Sequence, residues 1–165
     1  MALRTIRTEE HLILRKHCRE VDTITDRILT LIKDMGETMY KADGVGLAAP
    51  QVGILKRIFV IDVFDGEGLR VFINPEILET SGSVKDQEGC LSVPEVQGLV
   101  ERPEYVKVKA INEKGEEFVL EAHGLLARAV CHENDHLDGI LYVDTMKDEL
   151  PNIKPLYEIK KETTK

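Results

Sequence analysis

The chain has 165 residues, of which 42% are hydrophobic and 32% charged, and its formal net charge is −8. This length suffices for an apolar core that needs no disulfide bonds, so we expect residues 1–165 to form a single domain. The acidic balance argues against a specific DNA-binding protein, and the lack of any apolar run of about eighteen residues argues against a membrane-spanning helix.

The first predicted element is a helix that follows Thr25, a suitable N-cap residue, and ends at Gly44. Its apolar residues recur at helical spacing: Ile28, Leu31, Ile32, Met35 and Met39. Two strands are predicted next, over residues 56–63 and 69–78, because both segments are rich in β-branched and aromatic residues. The Gly-rich segment 64–68 forms the turn between them.

Residues 104–124 alternate on both sides of Glu113-Lys114-Gly115, which predicts a β-hairpin. Helical periodicity returns over residues 125–137, and Gly139 is the expected C-cap. After Lys147, two prolines interrupt the pattern, and a short last helix could follow. The order helix, strands, helix predicts an α+β fold, with small mixed or antiparallel sheets around a central helix.

His132 and His136 lie four residues apart in this second helix, with Glu133 between them. Residues at this spacing share one face of a helix, so two imidazoles can converge on one metal ion beside a carboxylate. Catalytic zinc-type sites use three protein ligands and leave the fourth position to water. Two solvated histidines on an acidic helix would give the same pattern, because a short motif alone is a weak signal.

A third ligand must come from outside this helix. Tyr142 stands where one class of metalloproteases has a further histidine, and no His or Cys follows His136. A downstream carboxylate such as Glu149 or Glu158 is one candidate. Cys90, in the stretch EGCLS, is another because a thiolate is a strong ligand, although a single cysteine is more often a small buried hydrophobic residue.

Three stretches together resemble the motifs of the peptide deformylase family, in the same order and with matching separations: GVGLAAPQ, EGCLS and HENDH. The resemblance runs from about Ile24 to Gly139, which is most of the chain. It implies a metal-dependent amide hydrolase that removes the formyl group from the N-terminal methionine of newly made proteins and releases formate.

Carried over by position, the implied metal ligands are Cys90, His132 and His136, with water as the fourth ligand. Glu133 would act first as a general base and then as a general acid. The side-chain amide of Gln51 and the backbone N–H of Leu91 would stabilise the tetrahedral oxyanion.

The resemblance also implies a set of substrate-binding residues: Val45, Gly46, Gly89, Leu125 and Ala129. Arg128 is added to this set because it lies one turn before His132 on the same helix face, and not because of the resemblance. Gly46 and Gly89 would leave backbone open, so that the substrate could pair as an added strand. Val45, Leu125 and Ala129 would form an apolar wall for the methionine side chain.

The expected cofactor is one divalent ion, Fe²⁺ by family habit, with Zn²⁺, Ni²⁺ or Co²⁺ as the other options. The expected partners are N-formylmethionyl nascent peptides near the ribosome, bound by a monomer. Three cysteines without framework spacing, and an N-terminus without signal-peptide features, predict a cytoplasmic protein. The resemblance implies a protein of bacterial or organellar type.

Four positions depart from the family pattern: Asp86, Gln97, Arg128 and Cys131. None removes a ligand or the base. Arg128 precedes His132 by one helical turn, and Asp86 precedes Cys90 by the same number of residues. Because helix and strand must converge for Cys90 to meet the histidines, we hypothesise that Arg128 and Asp86 form an ion pair at the mouth of the methionine pocket. The alternative is that both side chains point to water and do not meet.

Two other functions fit part of the sequence. A zinc metallopeptidase would use a downstream carboxylate in place of Cys90, and a non-catalytic formyl-peptide binder would have lost a motif residue, which this chain has not. Four further residues match no motif and are expected at or near the surface: His11, His17, Cys18 and His123.

Overall fold

The computed structural model describes residues 2–145 and has the predicted α+β fold. The helices are α1 (Asp26–Lys41), α2 (Gly124–Leu137) and α3 (Tyr142–Thr145). The strands are β1 (Gly46–Ala48), β2 (Ile58–Ile61), β3 (Arg70–Ser81), β4 (Val84–Cys90), β5 (Val93–Arg102), β6 (Tyr105–Ile111) and β7 (Glu117–His123). Short 3₁₀ helices span Leu12–Arg15 and Ala49–Val52.

Helix α1 begins where the sequence predicted. The hydroxyl of Thr25 accepts the backbone N–H of Ile28 at 3.3 Å, which is an N-cap bond. The helix ends at Lys41, before the predicted Gly44, because Asp43 adopts a left-handed conformation with a φ of 58°. The N–H of Gly44 still closes the last turn on a helix carbonyl.

The larger sheet has the strand order β1-β2-β3-β6-β7, and all of its neighbouring pairs are antiparallel. Successive side chains of a strand point to opposite faces. In β2, Ile58 and Val60 therefore pack in the same core as α1, while Phe59 and Ile61 pack in the core that contains α2. The two long helices thus cover opposite sides of this sheet.

The predicted strands and hairpin are confirmed. β2 and β3 lie within or close to residues 56–63 and 69–78, and the segment between them is a loop. β6 and β7 pair from Tyr105 opposite His123 to Ile111 opposite Glu117, and Gly115 has a φ of 82° in the turn between them.

Strands β4 and β5 form a separate two-stranded antiparallel sheet, which the sequence did not predict. The chain leaves the larger sheet after β3 and returns to it at β6. Cys90 is the last residue of β4, so this β4–β5 hairpin brings the cysteine to α2.

The N-terminal segment packs on the end of α2. The N–H of Cys18 donates to the carbonyl of Leu137 at 2.8 Å, which satisfies one of the free carbonyls at the end of that helix. The prediction that Cys18 lies near the surface is wrong, because this bond places its side chain in the core between α2 and the larger sheet. The other three residues of that group are exposed as predicted: His11, His17 and His123.

The short last helix that could follow Lys147 lies outside the described residues. Within residues 2–145, no helix has both the length and the hydropathy that crossing a membrane requires.

Candidate active site

Cys90 from β4 meets two histidines from α2. Its Sγ lies 3.2 Å from Nε2 of His136, and the donor atoms of Cys90, His132 and His136 all lie within 4.8 Å of one another. Because the histidines are one helical turn apart, their ring centroids are only 5.1 Å from each other. One sulfur and two imidazole nitrogens suit a zinc- or iron-type divalent ion, so this set of side chains fits a metal centre.

Glu88 orients His132. The Nδ1 of His132 and the Oε1 of Glu88 are 2.5 Å apart, and both side chains are buried. An ionised carboxylate can only accept a hydrogen bond, so Nδ1 of His132 donates to Glu88 and Nε2 is the ring nitrogen left for a metal ion. A carboxylate behind a metal-binding histidine commonly fixes the ring and its tautomer in this way.

Glu88 is also the centre of a buried ionic network. Arg102 donates to both carboxylate oxygens of Glu88, at 3.1 and 2.7 Å, and to Asp135 at 2.7 Å. Burial alone would raise the pKa of Glu88, but the hydrogen bonds from His132 and Arg102 lower it to about 2. The carboxylate therefore stays ionised, and each of its oxygens accepts two bonds, the fourth coming from Arg128.

The predicted ion pair between Arg128 and Asp86 is wrong. The Nη1 of Arg128 donates to Oε2 of Glu88 at 2.8 Å and to the carbonyl of Val100 at 3.0 Å, and its Nη2 donates to the carbonyl of Val84 at 2.8 Å. Asp86 is exposed and accepts the next backbone N–H. A buried guanidinium needs a buried anion, and on β4 that anion is Glu88.

Glu133 is a buried carboxylate beside the histidines, with 4% of its surface exposed. Burial raises its pKa to about 7, although the charge of nearby His132 acts in the opposite direction. Its Oε1 has no hydrogen-bond partner among residues 2–145, and its Oε2 lies 4.0 Å from Nε2 of His132. A carboxyl group with such a pKa can both take up and release a proton near neutral pH.

Gly46 leaves space for Glu133. A Cβ built on Gly46 would lie 2.5 Å from Oε2 of Glu133 and 2.9 Å from its Cδ, closer than real Cβ atoms approach. Gly46 begins β1, which is the edge strand of the larger sheet. A glycine at this position therefore lets the carboxylate pack directly against the strand, a requirement that the sequence did not indicate.

The two histidines have different electrostatic surroundings. Burial and the neighbouring charge of His132 lower the pKa of His136 well below its usual value, so the ring of His136 is neutral. Burial also disfavours the charged form of His132, but Glu133, Cys90 and Glu88 together hold the pKa of His132 well above its usual value. These same groups would attract a metal cation.

Gln51 is held at the Cys90 end of the site. It lies in the 3₁₀ helix Ala49–Val52 and is 1% exposed. Its Oε1 accepts the N–H of Ala48 at 2.9 Å, and its Nε2 donates to Oγ of Ser92 at 2.9 Å and approaches Sγ of Cys90 at 3.6 Å. These contacts fix the orientation of the amide.

The residues singled out from the sequence converge on one cleft of about 590 Å³, a usual size for a ligand pocket. Eleven of the twelve line it: Val45, Gly46, Gln51, Gly89, Cys90, Leu91, Leu125, Arg128, Ala129, His132 and Glu133. His136 is 1% exposed and contacts the sulfur of Cys90. The fold thus brings the candidate metal ligands and an apolar wall together around one cleft.

Sequence reasoning missed Glu88, Arg102 and Ser92. A signal for Glu88 was available, because residues two apart in a strand share a face and Cys90 follows Glu88 by two. Arg102 gave no local signal, since it reaches the site only through the pairing of β4 with β5, where it lies opposite Val84.

Tyr142, which stands where some metalloproteases have a third histidine, packs against His132 with ring centroids 6.0 Å apart. Glu149 and Glu158, the alternative ligands, lie outside the described residues. In the part of the chain that the structure describes, the cluster able to hold a metal contains Cys90 together with both histidines.

A sequence model of the family described as Polypeptide deformylase matches residues 3–152. The chain is 65% identical over 152 residues to Peptide deformylase 1 of Clostridium acetobutylicum. The aligned residues cover 92% of this chain and 100% of that protein. It is 61% identical over 144 residues to the peptide deformylase of Caldicellulosiruptor bescii, with coverages of 87% and 86%.

Solved structures of peptide deformylases have the same fold as this chain. The peptide deformylase of Thermotoga maritima superimposes with a TM-score of 0.86 at 44% identity, over 89% of this chain and 99% of that one. That of Synechococcus elongatus, in complex with actinonin, gives a TM-score of 0.85 at 44% identity, over 93% and 81%. Agreement of this extent in both sequence and structure confirms the resemblance, and the chain belongs to the peptide deformylase family of metal-dependent hydrolases, which remove the formyl group from the N-termini of new proteins.

Proposed function

We propose that this chain removes the formyl group from N-terminal formylmethionine in the cleft beside Cys90, His132 and His136. The observation that carries the proposal is the position of Glu133, a buried carboxylate next to three converging donor atoms. Metal-assisted hydrolysis of an amide combines a Lewis acid with a group that moves protons, and this arrangement offers a place for each.

In this proposal Cys90, His132 and His136 hold one divalent ion. When bound, the ion would supply Lewis acidity, which lowers the pKa of water and polarises a carbonyl group. Glu88 keeps the ring of His132 in place by accepting its Nδ1–H, and Arg102 keeps Glu88 ionised.

Glu133 moves the protons. It accepts one from the attacking water as the water oxygen bonds to the formyl carbon. It then donates this proton to the nitrogen as the C–N bond breaks, so that formic acid and a free N-terminal amine are released and Glu133 returns to its starting state. The formic acid loses its proton to solvent and is released as formate. A pKa of about 7 suits both steps.

The oxyanion of the tetrahedral intermediate requires hydrogen-bond donors. We assign this role to the amide of Gln51 and the backbone N–H of Leu91, both of which line the cleft. The bonds of Gln51 to Ala48 and Ser92 support the assignment, because they hold the amide in one orientation before substrate arrives.

The substrate peptide would add to the edge strand β1 along Gly46, with Gly89 on the facing hairpin. Its methionine side chain would contact the apolar residues of the cleft, Val45, Leu125 and Ala129. Formyl is the smallest acyl group, so a narrow site would admit it and reject an internal peptide bond.

The physiological setting follows from the same assignment. We propose that residues 1–165 act as a single catalytic domain, as a monomer in the cytoplasm of a bacterium or in an organelle of bacterial origin. The substrates would be nascent chains near the ribosome. The proposed ion is Fe²⁺, because the family usually works with ferrous iron.

The iron form, prepared and assayed without oxygen, is expected to release formate from a formyl-Met peptide and to leave the matched acetyl-Met peptide intact. Air should inactivate this form because O₂ oxidises Fe²⁺, and the reduced oxygen species formed beside the thiolate ligand then oxidise the sulfur. The nickel or cobalt form should be active and stable in air, and the zinc form should bind its ion but work poorly. The measurement is the rate at which each metal form releases formate from the formyl-Met peptide.

Equal rates for the iron and zinc forms, in air and without it, would contradict the proposed ion. Cleavage of internal peptide bonds without release of formate would indicate a peptidase.

Gly46→Ala is expected to lower kcat about 10²-fold while leaving the metal content unchanged. The added methyl group would lie 2.5 Å from Oε2 of Glu133 and must displace that carboxylate, and a shift of about 1 Å in a reacting group can cost this much. The matched control is Gly36→Ala in α1, whose methyl group would meet Leu69 at 2.8 Å, away from the cleft. If both variants kept the wild-type kcat, the close packing of Glu133 on Gly46 would be irrelevant to turnover.

A further inference from the structure

Arg128 is a buried arginine that the proposed reaction does not use. Only 8% of its surface is exposed, and it sits on α2 one turn before His132. It lines the cleft, but its guanidinium is engaged by the hairpin through Glu88, Val84 and Val100. Burying a charged group of this size is unfavourable unless it is paired and hydrogen-bonded, as it is here.

The candidate metal ligands come from two separate elements. Cys90 lies on the β4–β5 hairpin, a small sheet of its own, whereas His132 and His136 lie on α2. The three donor atoms stay together only if the hairpin keeps its place on the helix. Contacts between these elements therefore control the geometry of the site.

Arg128 contacts both strands of the hairpin from the helix. It donates to the carbonyl of Val84 and to the side chain of Glu88 on β4, and to the carbonyl of Val100 on β5. One side chain thus fixes α2 to two neighbouring strands at the level of Glu88, two residues before Cys90.

Arg128 and Arg102 together determine the direction of the Glu88 carboxylate. Oε2 of Glu88 accepts from Arg102 at 3.1 Å and from Arg128 at 2.8 Å, while Oε1 accepts from Arg102 at 2.7 Å and from His132 at 2.5 Å. Because the two oxygens are rigidly joined, a donor that holds Oε2 also fixes where Oε1 points. The partner of Oε1 is the ring of His132.

We propose that Arg128 is a positioning residue for the metal centre. It holds the hairpin on α2 and sets the Glu88 carboxylate against His132, and thereby fixes His132 and Cys90 relative to each other. This inference rests on the proposed function, because it presupposes a metal ion on Cys90, His132 and His136.

The test uses the cobalt-loaded protein, because Co²⁺ absorbs visible light with an intensity and wavelength that depend on its ligand geometry. Arg128→Met keeps an unbranched stem and removes the guanidinium. Cobalt release to an excess of chelator is expected to be about 10–100-fold faster than in the wild type, because removing a group behind a ligand usually lowers the metal affinity by this factor. The visible bands of bound cobalt should also change.

The matched control is Arg4→Met. Arg4 forms an ion pair at 2.9 Å with buried Asp34 on α1, so its loss also removes an arginine that fixes a helix. Because α1 carries none of the candidate ligands, the rate of cobalt release and the cobalt spectrum should stay as in the wild type. A role through Glu88 is tested by adding Glu88→Gln, since the combined effect should fall short of the product of the two single effects.

Wild-type release and spectrum in folded Arg128→Met would overturn the inference, and so would equal acceleration in Arg4→Met or fully multiplicative effects with Glu88→Gln. If Arg128→Met does not fold, Arg128→Gln is judged by the same two readouts, because it keeps a donor for the hairpin carbonyls. A wild-type protein that binds no cobalt, or Cys90→Ala that binds it equally well, would refute the proposed metal site instead.

Discussion

Replacing Glu133 by Gln is expected to lower turnover about 10²–10⁴-fold, the usual effect of removing a general acid–base group. The amide is nearly the same size, so the neighbouring ligands His132 and Cys90 stay in place and the protein should keep its metal. Glutamine can neither accept the proton of water nor return one to the leaving amine. Formate release and metal content, measured on the same preparation, check the result.

The matched control is Glu79→Gln, which makes the same chemical change at an exposed position of β3. It should leave turnover and metal content as they are. If Glu133→Gln worked at the wild-type rate, Glu133 would not be the proton-transfer group, and if it lost the metal, the loss of activity would say nothing about proton transfer.

Cys90→Ala is expected to abolish stable metal binding and, with it, formate release. The substitution removes the sulfur that lies 3.2 Å from Nε2 of His136 and leaves only two imidazole ligands. Three protein ligands are the usual number for a catalytic site of this type. Metal content after dialysis is the direct measurement, and thermal unfolding shows whether the variant is folded.

Cys18→Ala is the control for losing a thiol, because Cys18 is a buried cysteine in the core beneath α2 and outside the ligand cluster. It should retain metal and activity even if it unfolds at a lower temperature. Metal retained by Cys90→Ala would instead favour a downstream carboxylate such as Glu149 or Glu158, as in a zinc peptidase.

Elements with local signals could be predicted from the sequence. Thr25 marks the start of α1 because its hydroxyl caps the helix, and Gly115 marks the β6–β7 turn because that turn needs a positive φ. The apolar periodicity of α2 and the glycine after it, Gly139 with a φ of 76°, place the second long helix correctly.

The β4–β5 hairpin could not be predicted in this way. Most residues of β4 are exposed and polar, so no alternation distinguishes one face from the other. The turn between the strands, Leu91-Ser92, contains none of the Gly or Asn residues that usually mark a tight hairpin. Nor could three-residue β1 be recognised, because it is too short to show a period.

The functional site likewise contains some residues that the sequence indicated and others that depend on long-range packing. The family motifs identified Cys90 and both histidines, but sequence spacing could not decide which carboxylate of β4 would meet Arg128. Asp86 and Glu88 both share the face of Cys90 by their even spacing. The choice of Glu88 depends on burial, which only the packed hairpin determines.

The position of Cys90 on a separate two-stranded sheet has a consequence for folding. Cys90 and His136 are 46 residues apart in the chain, and an isolated pair of strands is barely stable in water. The complete ligand set therefore exists only after long-range docking of the hairpin on α2. An ion that binds this state and not the unfolded chain raises the free energy of unfolding, by about 2.7 kcal/mol when free ion is present at 100 times its Kd. Thermal denaturation of the protein should consequently depend on metal concentration, and metal supply during synthesis would influence how much of the chain reaches the native state.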